Sequence, residues 1–408
     1  MKNLLKLTSM SLIATTAIYA GGYKIPETST NAVALGAANI AHNHNNADAA
    51  YYNPAKMIFM TDENHIEADL MYIGLEKVKY KGTVHGSITD ESSEKEDFII
   101  PSLHYVSPRL GDNHVRVGMS VISTAGLSKR WEGAEPIKTA KEFTLKVVEV
   151  NPTVAFKINN NLGFAVGLRG VYSSGVVKSS ATASRDLNGD AFGMGYNLAL
   201  SYKPIKALEF GVTYRSKVDL CEEGNAKLRI GNAKVYDGGA SVSVPLPAAF
   251  NLAAAYTFES DTTVEVVYER TYWSAYKTLD FDYVSAISPI LVPYFDNPIE
   301  KEWSDTNTFR LGITQKLDDL TLMAGLVIDE SPIPSKTIGF ELPDTDSTAV
   351  SFGGRYKVNE KVDVGMSVLY SMHNSRTITA SDANENGLDG EFSDGDILII
   401  SAGLGYKF

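Results

Sequence analysis

Four arginines, Arg169, Arg215, Arg310 and Arg355, lie in segments where apolar residues recur at every second position, and all four fall on the opposite, polar side. A guanidinium on a sheltered face is a ready fork for a carboxylate. Arg169, Arg310 and Arg355 are therefore the leading candidate anchors for an acidic ligand. Glu209, Glu265, Glu269, Asp329 and Asp363 share that side, and ion pairing within the wall is the competing role. Nucleophilic chemistry would need a serine with a positioned histidine, and neither His104 nor His373 has an identifiable partner in the sequence. No catalytic residue is assigned. His42 and His44 lack a third metal ligand. "DANENG" (382–387) and "DLNGD" (186–190) resemble pieces of calcium loops, but the twelfth position from Asp382 is Ser393 where a bidentate Glu belongs. Neither a metal nor a cofactor is expected.

The elements that must position these charges are strands. "LGFAVGLRGVY" puts Leu162, Phe164, Val166, Leu168 and Tyr172 on one face, with Gly163, Ala165, Gly167 and Arg169 on the other. "LEFGVTYR", "LTLMAGLVID" and the terminal "ILIISAGLGYKF" repeat the pattern. Aromatic residues sit near strand ends, as in interfacial girdles. Short connections such as "NNN" (159–161), "KPIK" (203–206) and "VNEK" (358–361) alternate with long polar stretches near 81–97, 124–141, 180–191, 219–246, 275–304, 331–347 and 374–394. That asymmetry predicts an all-β fold, a transmembrane antiparallel barrel of about fourteen strands over residues 61–408, rather than a soluble sandwich.

Residues 1–20, with Lys2 and Lys6 ahead of an apolar run and Ala20 at its exit, read as a secretory signal peptide. No later stretch approaches the roughly 18 to 20 apolar residues of a spanning helix. Cys221 is the only cysteine, so no internal disulfide supports the exported chain. The net charge of -12 argues against a nucleic-acid partner. A single chain closing its own barrel predicts a monomer embedded in outer-membrane lipid, with Phe408 at the C-terminus as the signal for the barrel-assembly machinery.

Between leader and first strand, residues 21–60 are rich in Ala and Asn and lack strand alternation. They are long enough to fold back into the lumen as a partly helical hatch. Asn53 before Pro54 predicts an N-cap with proline at the first helical position, where its missing N–H costs nothing. "AAYYNPAKM" (49–57) resembles the hatch motif of the FadL family of outer-membrane transporters for long-chain fatty acids and other hydrophobic compounds. "VGMSVISTAGLSKRWEG" (117–133), "PLPAAFNLAAAYTF" (245–258) and the run from "EWSDTNTFRLGITQ" (302–315) to "LPDTDSTAVSFGGRYK" (342–357) agree with that family in order. Asn307, Thr308 and Ser347 depart from its usual residues.

The resemblance implies a fourteen-stranded barrel plugged by the hatch, an apolar lumenal pocket, and a lateral exit at an inward kink of the third strand. Asn53, Pro54 and Ala55 would be the hatch gate touching that kink. Gly118 and Gly126 are the positions where a bend costs least. Passive uptake of long-chain fatty acid is the first expectation, and uptake of neutral or aromatic hydrocarbon the second. An outer-membrane lipase or phospholipase and a nonspecific porin are the rivals from other classes. Ile290, Leu291, Val292 and Phe295, in the long loop 275–304, form a candidate outer hydrophobic patch for gathering ligand.

Overall fold

The computed structural model describes residues 21–408, so the expected signal peptide, 1–20, lies outside the described residues. Fourteen wall strands run antiparallel in chain order. They are β1 (His65–Leu75), β2 (Glu96–Val106), β3 (Val115–Ile122, resuming as Gly126–Arg130), β4 (Glu142–Lys157), β5 (Leu162–Ser179) and β6 (Ala183–Ile205). β7 runs through Leu208–Arg215 and Val218–Ile230, and β8 through Ala233–Leu246 and Ala249–Thr257. β9 (Thr262–Thr271), β10 (Thr306–Leu317), β11 (Leu320–Asp329), β12 (Ser347–Lys357), β13 (Val362–His373) and β14 (Ile397–Lys407) complete the wall. β14 pairs with β1 from His65↔Lys407 to Leu75↔Ile397, which closes the barrel. No described helix is long and apolar enough to cross a membrane.

Alternation sorts the wall by face. Leu168, Met194, Leu252, Phe309, Phe352 and Met366 point outward and are exposed, while Arg169, Asn251, Glu265, Arg310 and Arg355 point inward and are buried. This inversion of a soluble protein suits hydrocarbon outside and a polar lumen inside. At the short turns, Asn159 and Asn359 accept backbone N–H bonds two residues on, at 2.8 Å each, the Asx geometry that closes a tight hairpin.

Two stretches expected to be loops are strand. Residues 180–191 fall almost entirely in β6, and 219–246 form the outer halves of β7 and β8. Their inward residues, Leu187, Leu220, Ala226 and Leu228, are buried, while Asp186 and Asp219 face out. A strand that continues beyond the membrane meets water on its outer side, so its polar half makes it read as loop. Above the wall, a four-stranded sheet is built from Val78–Val84, Ser87–Ser92, Arg376–Ile378 and Leu388–Asp394.

Residues 21–60 are almost wholly buried and lie within the ring of strands. Helix α1 (Thr30–Leu35), capped by the Ser29 hydroxyl and ended by Gly36 at φ 56°, touches β10 to β14. Helix α2 (Ala49–Tyr52) and the 3-10 turn Pro54–Phe59 touch the opposite arc, β2 to β6.

Candidate ligand path in the barrel interior

Asn53 carries three bonds that fix the N-terminal segment. Its Oδ1 accepts from Ala55 N at 3.1 Å, capping the turn that Pro54 begins. Its Nδ2 donates to Ile40 O at 2.9 Å and to Leu200 O of β6 at 3.1 Å. The Asn-Pro-Ala stretch thus meets β6 and the Gly163 position of β5, and the 3-10 turn that it opens also touches β3. At the break itself the segment's Tyr23–Ile25 is bonded to the strand: Ile25 N donates to Thr124 O and Gly126 N to Tyr23 O, each at 2.9 Å.

The third strand breaks at Ser123–Ala125. Gly126 restarts the ladder, whereas Gly118 sits in its regular part, opposite Val106 and Thr153, where a Cβ would strike Met57 and Ala50. Gly118 therefore gives α2 and the 3-10 turn room and is not the point of bending. Below the break β3 pairs with β2 only over Leu103–Val106, and above it Gly126–Arg130 pairs with β4 alone. β2 keeps its full ladder with β1. Asp97–Ser102 thus have no strand partner on the β3 side, and Pro101, which has no N–H to lose, stands in that edge. The Ser93↔Trp131 bridge and the Arg130–Glu96 ion pair rejoin the two strands above this window.

Two recesses lie behind the break. The outer one is lined mainly by apolar side chains, among them Leu127, Phe143, Leu145, Val244, Leu279 and Trp303. Its polar members are few: Thr144, Glu222, Lys301, Thr337 and Glu341. Lys301 is already paired with Glu341. Tyr23 closes it on the segment side, packed edge-on against Trp273 and donating its hydroxyl to Pro245 O. The next residue, Lys24, lines the inner recess with Tyr51, Thr124, Arg169, Arg215 and Arg310.

Those inner cations are held by acids. Glu149 is gripped by Arg169 at 2.9 Å and by Arg215, whose guanidinium also lies 4.2 Å over the Tyr51 ring. Glu269 takes Lys24 at 2.7 Å and Arg310 at 3.5 Å, and Arg310 donates to Gly36 O at 2.9 Å. Arg355 is tied to Glu67, Asp363 and Asn31, away from both recesses. Of the three expected carboxylate anchors, Arg169 and Arg310 line the inner recess, Arg355 lines neither, and none faces the apolar one. Sequence periodicity found the inward side of each strand but not the height at which a side chain enters the lumen.

Wall acids also cap the segment. Glu265 accepts the N–H groups of Ile40, Ala41 and His42 at 2.7, 2.6 and 3.0 Å. Asp48, which precedes α2, makes no side-chain capping bond and accepts from Ser29 at 2.9 Å. In the outer loop 331–346, burial pushes the Asp344 carboxyl up to about 7 although Gly22 N donates to it at 3.2 Å.

The expected outer patch splits in two. Leu291 and Phe295 are 1 % and 3 % exposed and belong to the core, with Phe295 beside the Arg185 guanidinium. Ile290 is 71 % exposed and Val292 is half-buried. Loop packing claims half of the stretch, because a chain crossing above a wide barrel must cover its own rim. His104, which had no visible nucleophile beside it, has Ser120 Oγ 2.9 Å from Nδ1, both groups being buried behind α2. Among the described residues no group of three or more His, Cys, Asp or Glu is placed to hold a metal.

Residues 11–408 match the family model described as outer membrane protein transport protein (OMPP1/FadL/TodX). The chain is 23% identical over 420 residues to the long-chain fatty acid transport protein of Escherichia coli strain K12, covering 89% of this chain and 90% of that one. It is 23% identical over 428 residues to outer membrane protein P1 of Haemophilus influenzae, covering 90% of each. Among solved structures, a Pseudomonas aeruginosa FadL homologue superposes with TM-score 0.81 at 17% identity, over 95% of this chain and 100% of that one. The Pseudomonas putida toluene transporter TodX gives 0.73 at 18%, over 95% and 99%.

Proposed function

Because the chain belongs to the OMPP1/FadL/TodX family of outer-membrane transport proteins, we propose that it takes up long-chain fatty acids or other hydrophobic molecules passively, through the outer recess and sideways into the membrane. One observation carries this reading: the apolar recess abuts the place where the wall ladder is missing. Leu127 belongs to both, lining the recess from the strand piece that has lost its β2 partner. A hydrophobic solute in that recess need not cross the polar lumen below it, which residues 21–60 fill as a hatch. The window offers a route into hydrocarbon, where transfer of apolar surface is favourable. Related proteins include a long-chain fatty acid transport protein and a toluene transporter, which supports both substrate classes, neutral or aromatic hydrocarbon being the second.

Removing Ser123–Ala125 would let β3 run straight and pair with β2 along Asp97–Ser102. Cells carrying this variant are expected to lose uptake of fluorescent fatty acid and of hydrocarbon, while the purified barrel still binds both. Unchanged uptake in a correctly assembled variant would refute the sideways route.

A further inference from the structure

Glu222 is the polar group of the outer recess that no cation offsets. It lies on the inward face of β7, is 1 % exposed, and takes one bond, from the Ser173 hydroxyl to Oε1. Its Oε2 is buried with no partner and the side chain lines the recess. Gly175, across the recess wall, leaves the space beside that carboxyl free, since even a Cβ there would only reach ordinary contact at 3.8 Å. The second carboxylate, Glu341, is paired with Lys301, the one cation of the lining. The recess therefore carries one acid in excess. The inner recess is the reverse, with Lys24, Arg169, Arg215 and Arg310 facing Glu27, Glu149 and Glu269. A buried acceptor without a donor is costly, and a ligand that supplies the donor recovers that cost. A ligand that brings a second anion beside it meets repulsion at low dielectric.

We propose that the outer recess selects uncharged hydrophobic molecules bearing a hydroxyl donor, of the long-chain alcohol or phenol class, over fatty-acid anions, with Glu222 as the accepting group. This deepens the transport reading above and rests on it. The hydroxyl donates to Oε2 while the chain lies along Leu145, Val244 and Leu279. No bond is made or broken and no proton leaves the ligand.

The test uses the full-length barrel in detergent at pH 9, with displacement of a fluorescent hydrophobic probe by oleyl alcohol, methyl oleate and oleate. Oleyl alcohol is expected to bind about tenfold more tightly than methyl oleate, the scale of one hydrogen bond to a charged group, and more tightly than oleate. Glu222→Leu should erase the advantage of alcohol over ester. Glu222→Gln, nearly isosteric, should raise oleate affinity while leaving the ester unchanged, and it keeps the test decisive if the leucine variant fails to assemble. Equal binding of oleate and alcohol by the native chain, unaltered in Glu222→Gln, overturns the selectivity and leaves the transport reading standing. Failure of all three compounds to displace the probe overturns both.

Discussion

At the scale of single residues, stability is governed by polar groups placed where water cannot serve them. Asp344 is the clearest, a buried carboxyl whose Oδ1 has no partner and whose Oδ2 holds Gly22 N. Burial raises its pKa to about 7 in the folded state, so the folded chain binds the proton more tightly than the unfolded one. Its contribution is fully present below about pH 4 and is lost as pH rises through about 7. Asp344→Asn keeps an acceptor for Gly22 without the charge. It is expected to raise stability at pH 8 by on the order of 2 kcal/mol and to leave pH 4 nearly unchanged. Thermal unfolding of the purified barrel at the two pH values measures this. Asn53 is the complementary case, because all three of its side-chain bonds are made. Asn53→Ala should weaken docking of the turn by about 2 kcal/mol through the lost cap and lost donations. Faster hydrogen exchange at Ala55 with an unchanged wall would be the signature.

At the scale of elements, close approach of backbone to backbone decides how residues 21–60 sit in the barrel. A Cβ on Gly325 of β11 would collide with the Leu35 carbonyl, and one on Gly211 of β7 would lie 2.6 Å from Ile40 O. Gly325→Val should dislodge α1 while leaving the β10–β11 and β11–β12 ladders paired. The expected outcome is protease sensitivity confined to residues 28–41 in a barrel that still shows its native heat-modifiable mobility. The same glycines explain what the sequence conveyed. Period-two alternation in "LGFAVGLRGVY" depends on one strand's own two faces, and it predicted the strands and the inward arginines. The pairing of Tyr23–Ile25 with Thr124 and Gly126 joins residues about a hundred positions apart, which no local pattern records. The excess acid at Glu222 was equally hidden, because its stretch reads as a polar loop until β7 is seen to continue above the membrane.

At the scale of the whole molecule, a fourteen-stranded wall encloses more space than its own side chains fill, and two outcomes are open to such a barrel. An unfilled lumen would conduct ions in proportion to its cross-section, as a porin does. Here residues 21–60 cross that section in contact with both arcs of the wall, and Glu265, Arg310 and Arg116 bind their backbone from the wall side. On the transport reading proposed above, ion flow and hydrophobic flow take different paths, the first blocked by residues 21–60 and the second leaving above them through the β2–β3 window. Removal of residues 21–60 with residues 1–20 retained should raise single-channel conductance from near background to porin-like steps. Straightening β3 should leave conductance at background while abolishing uptake. If the intact chain conducted at porin level, or if hatch removal left conductance unchanged, the division into two paths would be wrong. The porin alternative would then account for the wall better than a transporter does.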